Sequence, residues 1–233
     1  MIYAQKNEVS PDGSDLGVII VGGGAATRFA SDRNKLLCDL QGLPVVCHTL
    51  RTFLALVPPS RLVMVVPAGQ EAAFRQAFKK GGLDEAAINC VAGGRRRQDS
   101  VLNGLRQLSV EATIVAVQDA ARPWTSVKLV HACVKSARER GSGVAARRII
   151  DTVKRADPEG RVEQTLDREL LWATETPQVF QRAQLEAGYR QATASGLTMT
   201  DDAQAVELAG FPVFLVEHSG RNPKITHVSD LPG

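Results

Sequence analysis

The chain has 233 residues, of which 44% are hydrophobic, so it can bury a sizeable core in one α/β domain that carries an excursion. The formal net charge is only +3, and apart from Arg95-Arg96-Arg97 the basic residues are interspersed with acidic ones, which argues against nucleic acid as a partner. No run is long and apolar enough to span a bilayer. We expect a cytoplasmic protein with no membrane partner, a flexible leader over residues 1–15 and a single domain over residues 16–233.

The cysteines and histidines show neither the spacing of a metal site nor that of a disulfide framework. We expect reduced thiols in or beside the core, and we give the histidines no catalytic role. These residues are Cys38, Cys47, Cys90 and Cys133, and His48, His131, His218 and His227.

A glycine loop follows the first predicted strand. The apolar run Val18 to Val21 is typical of a buried parallel strand, and Gly22-Gly23-Gly24 then lets the backbone approach a ligand without a Cβ atom in the way. Arg28 adds a fork of donors and Lys35 adds a mobile positive charge. The loop therefore predicts a phosphate site.

Two familiar glycine motifs do not match. The ATPase P-loop requires Gly-Lys-Ser/Thr at its end, whereas Gly24 is followed by Ala25, Ala26 and Thr27. The dinucleotide fingerprint has Thr27 in place of its third glycine, and no acidic residue ends the second strand. A nicotinamide reductase is therefore disfavoured. A tight strand-to-helix turn without a ligand stays open as the structural alternative.

Helices and strands alternate through the first 140 residues. Such alternation predicts a parallel sheet with helices on both faces, and ligands of these sheets bind beyond the carboxyl ends of the strands. The glycine loop, the corner Gly93-Gly94 and Asp119 all follow strand ends, so we expect them to line one crevice. Strands are predicted over 61–66, 88–91 and 113–117. Helices are predicted over 44–56, 70–80 and 126–140, and a further helix is predicted to begin at a cap on Asp99 or Ser100.

The alternation stops after residue 140. Extended segments over 144–153 and 161–172 flank the turn Asp157-Pro158-Glu159-Gly160, which predicts a β-arm at about 147–172. Two strands are marginal alone, so we expect the arm to pack on a second subunit. Helices over 181–194 and 202–209, a strand over 211–216 and a closing segment over 224–228 follow, with Asp201 and Asp202 as helix N-caps.

Several polar side chains then remain as candidates for chemistry. Asp119 can hold a metal or a substrate hydroxyl, and Arg122 can bind phosphate, although the two can equally form a structural ion pair. Single residues of this kind are weak signals, because each can belong to a turn or a solvated face. The others are Thr152, Arg168, Thr176 and Lys224.

Seven further motifs follow the glycine loop in order: GGRRRQDSV, QDAARP, DTVKR, LDRELLW, TPQVF, TDDAQAVE and NPKIT. This ordered set resembles the 2-C-methyl-D-erythritol 4-phosphate cytidylyltransferase family of the non-mevalonate isoprenoid pathway. The resemblance implies a Rossmann-like nucleotidyltransferase fold with an arm that makes a homodimer. It also implies transfer of CMP from CTP to a polyol phosphate, with Mg²⁺ bridging the triphosphate and pyrophosphate leaving.

The resemblance assigns a role to each candidate. Arg28 and Lys35 would be catalytic, and Asp119 is a candidate metal ligand. Thr152 and Arg168 would serve the neighbouring subunit's site. Nucleotide binding falls to Gly22, Gly23, Gly24, Gly94, Arg95 and Ser100, and positioning of the sugar phosphate falls to Asp119, Arg122, Thr152, Arg168, Thr176 and Lys224.

Some positions depart from the family pattern. Ala26 stands where glycine is usual, Asn34 replaces a common proline, and Gln118 takes the place of a histidine. Gly22-Gly23 stands where Ala-Ala is common. Two alternatives remain beside the main hypothesis: a ribitol 5-phosphate or related polyol-phosphate cytidylyltransferase, and a non-catalytic paralogue that only binds nucleotide.

Overall fold

A computed structural model describes residues 15–23 and 34–231. Seven strands form one sheet in the order β11-β7-β10-β6-β1-β4-β5. All neighbouring pairs are parallel except those of β10, which is antiparallel to both β6 and β7. The strands are β1 (Leu16–Val21), β4 (Leu62–Val66), β5 (Asn89–Ala92), β6 (Ile114–Asp119), β7 (Ser142–Arg148), β10 (Trp172–Gln181) and β11 (Leu215–Glu217). The mostly parallel α/β fold is therefore confirmed.

Six α-helices, four short 3₁₀ helices and two small hairpins complete the described part of the chain. The α-helices are α1 (Val45–Leu54), α2 (Glu71–Lys80), α3 (Arg97–Gln107), α4 (Val127–Arg140), α5 (Arg182–Ala194) and α6 (Asp202–Leu208). One hairpin pairs β2 (Asp39–Leu40) with β3 (Leu43–Pro44), and the other pairs β8 (Lys154–Ala156) with β9 (Val162–Thr165). Gln41 and Gly42 both have positive φ angles in the first hairpin, which the sequence pattern does not reveal.

The central strands are apolar along their whole length because both faces of the sheet are covered. Val18 and Ile20 of β1 pack in one core cluster with residues of α1, α2 and α4. Ile19 and Val21 face the opposite way and pack with residues of α3, α5 and α6. Successive side chains of a strand point to opposite faces, so a strand buried on both sides needs no polar alternation.

Helix α3 begins earlier than expected. The prediction placed the cap at Asp99 or Ser100, but the first helical residue is Arg97 and Arg96 is the N-cap. Asp99 instead lies in the first turn, where its carboxylate accepts from the backbone N–H of Arg96 at 3.0 Å. Asp99 thus still satisfies a helix-terminal donor, but from within the helix rather than before it.

The predicted arm is present as the exposed hairpin β8–β9. Both strands are exposed along their length, and the turn closes through Gly160, whose φ is 86°. The flanking residues 144–148 and 172 belong to the main sheet, in β7 and β10. Near the C-terminus, β11 is shorter than predicted, and residues 221–226 have no regular secondary structure.

Candidate active site

Two glycine corners meet at the carboxyl edge of the sheet. The N–H of Gly22 donates to the carbonyl of Val65 at 2.7 Å, and the N–H of Gly93 donates to that of Val66 at the same distance. A Cβ on Gly23 would lie 3.2 Å from Ser100 Oγ and 3.4 Å from the Cα of Gly93. The corners therefore pack directly on each other, as the expected crevice requires.

Gly94 and Ser100 close the second corner. The Gly94 N–H donates to Ser100 Oγ at 3.1 Å, and a Cβ on Gly94 would come within 2.3 Å of the Cβ of Asp99. Only glycine fits there without a shift of α3. Arg95 is exposed beside this corner. Gly24 and Arg28, two further predicted site residues, lie outside the described residues.

Asp119, the last residue of β6, is the centre of a cationic cluster. Its carboxylate lies 2.7 Å from Lys224 Nζ, 3.4 Å from Arg97 Nε and 3.8 Å from Arg122 Nε. Burial raises the pKa of Asp119, but the charges of Arg97, Lys224 and Arg122 outweigh burial and hold that pKa well below its ordinary value. Asp119 is therefore a carboxylate at any physiological pH.

Arg97 links Asp119 to a second buried carboxylate. Its Nη2 donates to Asp202 at 2.6 Å, and the hydroxyl of Tyr189 also donates to Asp202, which has no exposed side-chain surface. Asp201 caps α6 as expected, accepting from the Gln204 N–H at 2.9 Å. The prediction that Asp202 is also a cap is wrong, because its side chain points into this ion-pair network.

Thr176 and Arg122 also lie in this cluster. The N–H of Asp119 donates to Thr176 Oγ1 at 3.0 Å, and Arg122 Nη1 donates to the carbonyl of Asn222 at 2.7 Å. Burial lowers the pKa of Arg122 against the opposing charges of Asp119 and Glu175. Asp119, Arg122, Thr176 and Lys224 are thus brought together from β6, the loop after it, β10 and the C-terminal segment.

A buried polar group beside the cluster was missed by the sequence analysis. Glu175 lies 3.1 Å from Arg147 Nε, 3.1 Å from His218 Nε2 and 3.7 Å from Arg122 Nη1. Asn222 donates to the same carboxylate at 2.8 Å. The only sequence signals were proximity to known motifs: Glu175 precedes TPQVF, and Asn222 begins NPKIT.

Lys35 approaches the cluster from the other end of the chain. Its Nζ donates to the carbonyl of Ile225 at 2.7 Å, next to Lys224 in sequence. Asn34 accepts from the Leu36 N–H at 3.1 Å and donates to Gln70 at 2.8 Å, so it caps the short 3₁₀ turn that carries Lys35. The unusual residue before the lysine therefore has a structural role of its own.

Thr152 and Arg168 lie on the exposed arm, away from these contacts. Arg168 Nη1 donates to the carbonyl of Ile150 at 2.6 Å, and Thr152 is exposed. Within one chain, the contacts found for the described residues do not join either side chain to Asp119. Their assignment to a neighbouring subunit's site stays a prediction.

No metal cage is formed by the side chains that the structure describes, since no group of three or more histidine, cysteine, aspartate or glutamate side chains could hold an ion. Asp119 fits Mg²⁺ poorly as it stands, because both of its oxygens already face cations. Mg²⁺ commonly binds through one or two carboxylates together with substrate phosphates.

No helix over residues 15–23 and 34–231 is long and apolar enough to cross a membrane.

The family model described as IspD, 2-C-methyl-D-erythritol 4-phosphate cytidylyltransferase, matches residues 16–232. The chain belongs to this family. The 2-C-methyl-D-erythritol 4-phosphate cytidylyltransferase of Bacillus velezensis is 38% identical over 215 residues, which cover 92% of this chain and 91% of that protein.

Solved structures agree with this membership. The 4-diphosphocytidyl-2C-methyl-D-erythritol synthase of Anaerococcus prevotii superimposes with a TM-score of 0.80 at 26% identity, covering 94% of each chain. The 2-C-methyl-D-erythritol 4-phosphate cytidylyltransferase of Thermus thermophilus gives a TM-score of 0.75 at 28% identity, covering 93% of this chain and 95% of that one.

One departure from the family pattern can now be placed. Gln118 is buried on the strand face opposite Asp119, since adjacent strand residues alternate. Its Nε2 donates to Thr125 Oγ1 at 2.9 Å and to the Asp119 carbonyl at 3.2 Å. Gln118 therefore stabilises the loop after β6. Its side-chain hydrogen bonds go to Thr125 and to the Asp119 backbone and not to the Asp119 carboxylate.

Proposed function

We propose that this cytidylyltransferase transfers CMP from CTP to 2-C-methyl-D-erythritol 4-phosphate, releasing pyrophosphate and 4-diphosphocytidyl-2-C-methyl-D-erythritol. A phosphate oxygen of the sugar phosphate attacks the α-phosphorus of CTP. The new P–O bond forms as the bond between the α-phosphorus and the bridging oxygen breaks, and pyrophosphate leaves with that electron pair.

The observation that carries the proposal is that Lys35 is bound to the segment that carries Lys224. Lys35 donates to the carbonyl of Ile225, the residue after Lys224, and the Lys224 ammonium contacts the Asp119 carboxylate. A phosphate monoester carries almost two negative charges at neutral pH, so its attack needs no general base. What the reaction needs is aligned positive charge to hold two polyanions together.

The charge of the cluster agrees with this requirement. Four cations, Arg97, Arg122, Arg147 and Lys224, are paired with three carboxylates, Asp119, Glu175 and Asp202. Lys35 adds further positive charge beside the Lys224 segment. We assign Arg28 and Lys35 to the developing charge on the α-phosphate, and Arg122, Thr176 and Lys224 to the sugar phosphate.

The nucleotide is assigned to the two glycine corners. Gly22 and Gly23 belong to the first, and the assignment of Gly24 beside them rests on the sequence motif alone; Gly94, Arg95 and Ser100 belong to the second. Mg²⁺ would be held mainly by the phosphate oxygens of CTP and would neutralise part of their charge.

A homodimer through the arm is part of the same proposal. Ile150, Val162 and Leu170 are 80%, 56% and 78% exposed, although large apolar side chains are usually covered. A second subunit packed on the arm would cover these three apolar side chains. Thr152 and Arg168 of the arm would then lie at the active site of that second subunit. We also propose that the enzyme acts in the cytoplasm.

The test is pyrophosphate release by the purified protein with Mg²⁺ and CTP. Methylerythritol 4-phosphate and ribitol 5-phosphate are offered separately, with ATP, GTP and UTP as nucleotide controls and chelator as the metal control. Release only with CTP and methylerythritol phosphate is expected. Release only with ribitol phosphate would reassign the substrate, and silence from folded protein that binds CTP would indicate the non-catalytic alternative.

A further inference from the structure

Asn222 is a buried amide in the segment that carries Lys224. Only 4% of its surface is exposed, although residues 219–221 before it and residues 223 and 224 after it are exposed. Buried amides cost free energy unless they are hydrogen-bonded, so this side chain must have a specific set of partners.

The partners of Asn222 determine both its orientation and its residue type. Its Nδ2 donates to Glu175 Oε2 at 2.8 Å and to the Thr176 carbonyl at 2.9 Å, and its Oδ1 accepts from Thr125 Oγ1 at 2.7 Å. Because the carboxylate and the carbonyl can only accept, the amide nitrogen must face them. Aspartate would place an acceptor against two acceptors.

The backbone around Lys224 is fixed on both sides of that residue. Before it, the carbonyl of Asn222 accepts from Arg122 Nη1 at 2.7 Å. After it, the N–H of Ile225 donates to the carbonyl of Ala121 at 2.8 Å, and the Ile225 side chain is fully buried. The Lys224 side chain itself is 42% exposed, so the segment rather than the packing of the lysine sets where its ammonium lies.

We infer that Asn222 is a positioning residue that sets the place of Lys224 opposite Asp119. It ties the Lys224 segment to Glu175 and Thr176, and the Thr176 hydroxyl accepts from the Asp119 backbone. The amide thus joins the carrier of the cation to the carrier of its carboxylate partner. This inference rests on the proposed function for the role of Lys224 in catalysis, but not for the geometry of the ion pair.

The kinetic test compares Asn222→Ala with Arg221→Ala. Arg221 is the preceding residue, and it stacks on the exposed side of the loop, 4.3 Å from the ring of Trp124. We expect Asn222→Ala to lower kcat/KM for methylerythritol phosphate at least ~10-fold, with KM for CTP changed less than ~3-fold, because misplaced groups cost mainly in alignment. Arg221→Ala should stay within ~3-fold of wild type on both measures.

A double variant separates action through Lys224 from general damage. If Asn222 works by placing Lys224, then Asn222→Ala should cause less than ~2-fold further loss in protein that already carries Lys224→Ala. Equal fold losses in the two backgrounds would overturn the inference, and so would an Asn222→Ala enzyme within ~2-fold of wild type.

A second measurement needs no turnover. Limited acetylation with acetic anhydride, read by peptide mass spectrometry, reports how strongly each lysine ammonium is held. Lys135, whose side chain is 75% exposed, is the internal reference. Asn222→Ala and Asp119→Asn should both raise the acetylation of Lys224 relative to Lys135, and Arg221→Ala should not.

Thr125→Val covers the case in which Asn222→Ala fails to fold. It keeps the side-chain volume but removes the hydroxyl that donates to Asn222 Oδ1 and accepts from Gln118 Nε2. It should raise Lys224 acetylation in the same direction, and Gln118→Ala is the control for the loss of the second bond. Unchanged Lys224 acetylation in every folded variant of Asn222 and Thr125 would overturn the inference. Absence of pyrophosphate release by wild type would instead count against the proposed function, since the acetylation result does not depend on it.

Discussion

Replacement of Arg97 by methionine should destabilise the protein more than its partly exposed position suggests. Methionine keeps most of the side-chain stem but removes the guanidinium that lies 2.6 Å from Asp202 and 3.4 Å from Asp119. Asp119 keeps Lys224 as a close partner. Asp202, with no exposed side-chain surface, would keep only the hydroxyl of Tyr189 among the side-chain partners found.

The magnitude follows from the charge left behind. Removing one member of a buried ion pair typically costs 3–5 kcal/mol, because the remaining charge is neither solvated nor paired. Tyr189 still donates to Asp202, and Arg97 is 24% exposed, so we expect the lower end, about 3 kcal/mol. A loss of that size leaves a domain of ordinary stability folded at room temperature.

Urea unfolding at pH 7 measures this loss, with Arg106→Met as the matched control. Arg106 lies on the exposed side of the same helix, where substitution should change the free energy of unfolding by less than about 0.5 kcal/mol. Adding Asp202→Asn removes the stranded charge, so the double variant should recover at least ~1 kcal/mol relative to additivity. A loss below ~1 kcal/mol for Arg97→Met, or fully additive losses, would refute the reasoning.

Three further predictions concern the same site. Lys35→Ala should lower kcat by at least ~100-fold while calorimetry still shows CTP binding, because its charge acts mainly in the transition state; nearly unchanged turnover would contradict this role. Mixing Arg168→Ala protein with Lys35→Ala protein should restore about a quarter of wild-type activity if the arm serves the neighbouring subunit's site. Half of the dimers then contain one subunit of each kind, and each such dimer has one intact site out of two. No recovery after confirmed subunit exchange would indicate a site within one chain. The pKa of Asp119 is lower in the folded protein than its value of about 3.9 in the unfolded chain, so the stability that Asp119 contributes is present above about pH 3.9 and is lost as the pH falls below that value. Asp119→Asn should therefore flatten the acid side of a plot of unfolding free energy against pH. An unchanged acid slope would be inconsistent with the ion pairs.

The sheet was predictable from sequence because its strands are buried on both faces. Runs such as Val18 to Val21 and Leu62 to Val66 are continuously apolar, and the helices between them carry apolar residues at helical spacing. Helix starts were less predictable. The helix predicted over 126–140 begins within one residue of α4, and Ser126 is its N-cap, whose hydroxyl accepts from the Leu129 N–H. By contrast α3 starts after Arg96, which is not a residue type favoured at caps.

Only the site residues that lie within recognised motifs could be predicted from the sequence. The motifs assigned Asp119, Thr176 and Lys224 to one site, and the structure joins them: the Asp119 N–H donates to Thr176, and the Asp119 carboxylate accepts from Lys224. Only Asp119 ends a strand, because Thr176 lies within β10 and Lys224 lies in an irregular segment. Arg97 and Asp202 were missed. Each has an ordinary local explanation, a basic run and a helix cap, and only a contact between residues 105 positions apart shows that they form a pair.

The buried carboxylates explain how so many cations can share one site before any substrate arrives. Arg97 lies between Asp119 and Asp202, and Arg122 lies between Asp119 and Glu175, so each guanidinium contacts two carboxylates. Neither could be desolvated beside the other without these partners. Lys224 differs, because its side chain is the most exposed of the cations around Asp119. The buried guanidinium groups therefore set the field of the site, and we propose that Lys224 is the cation that turns from Asp119 to an incoming phosphate.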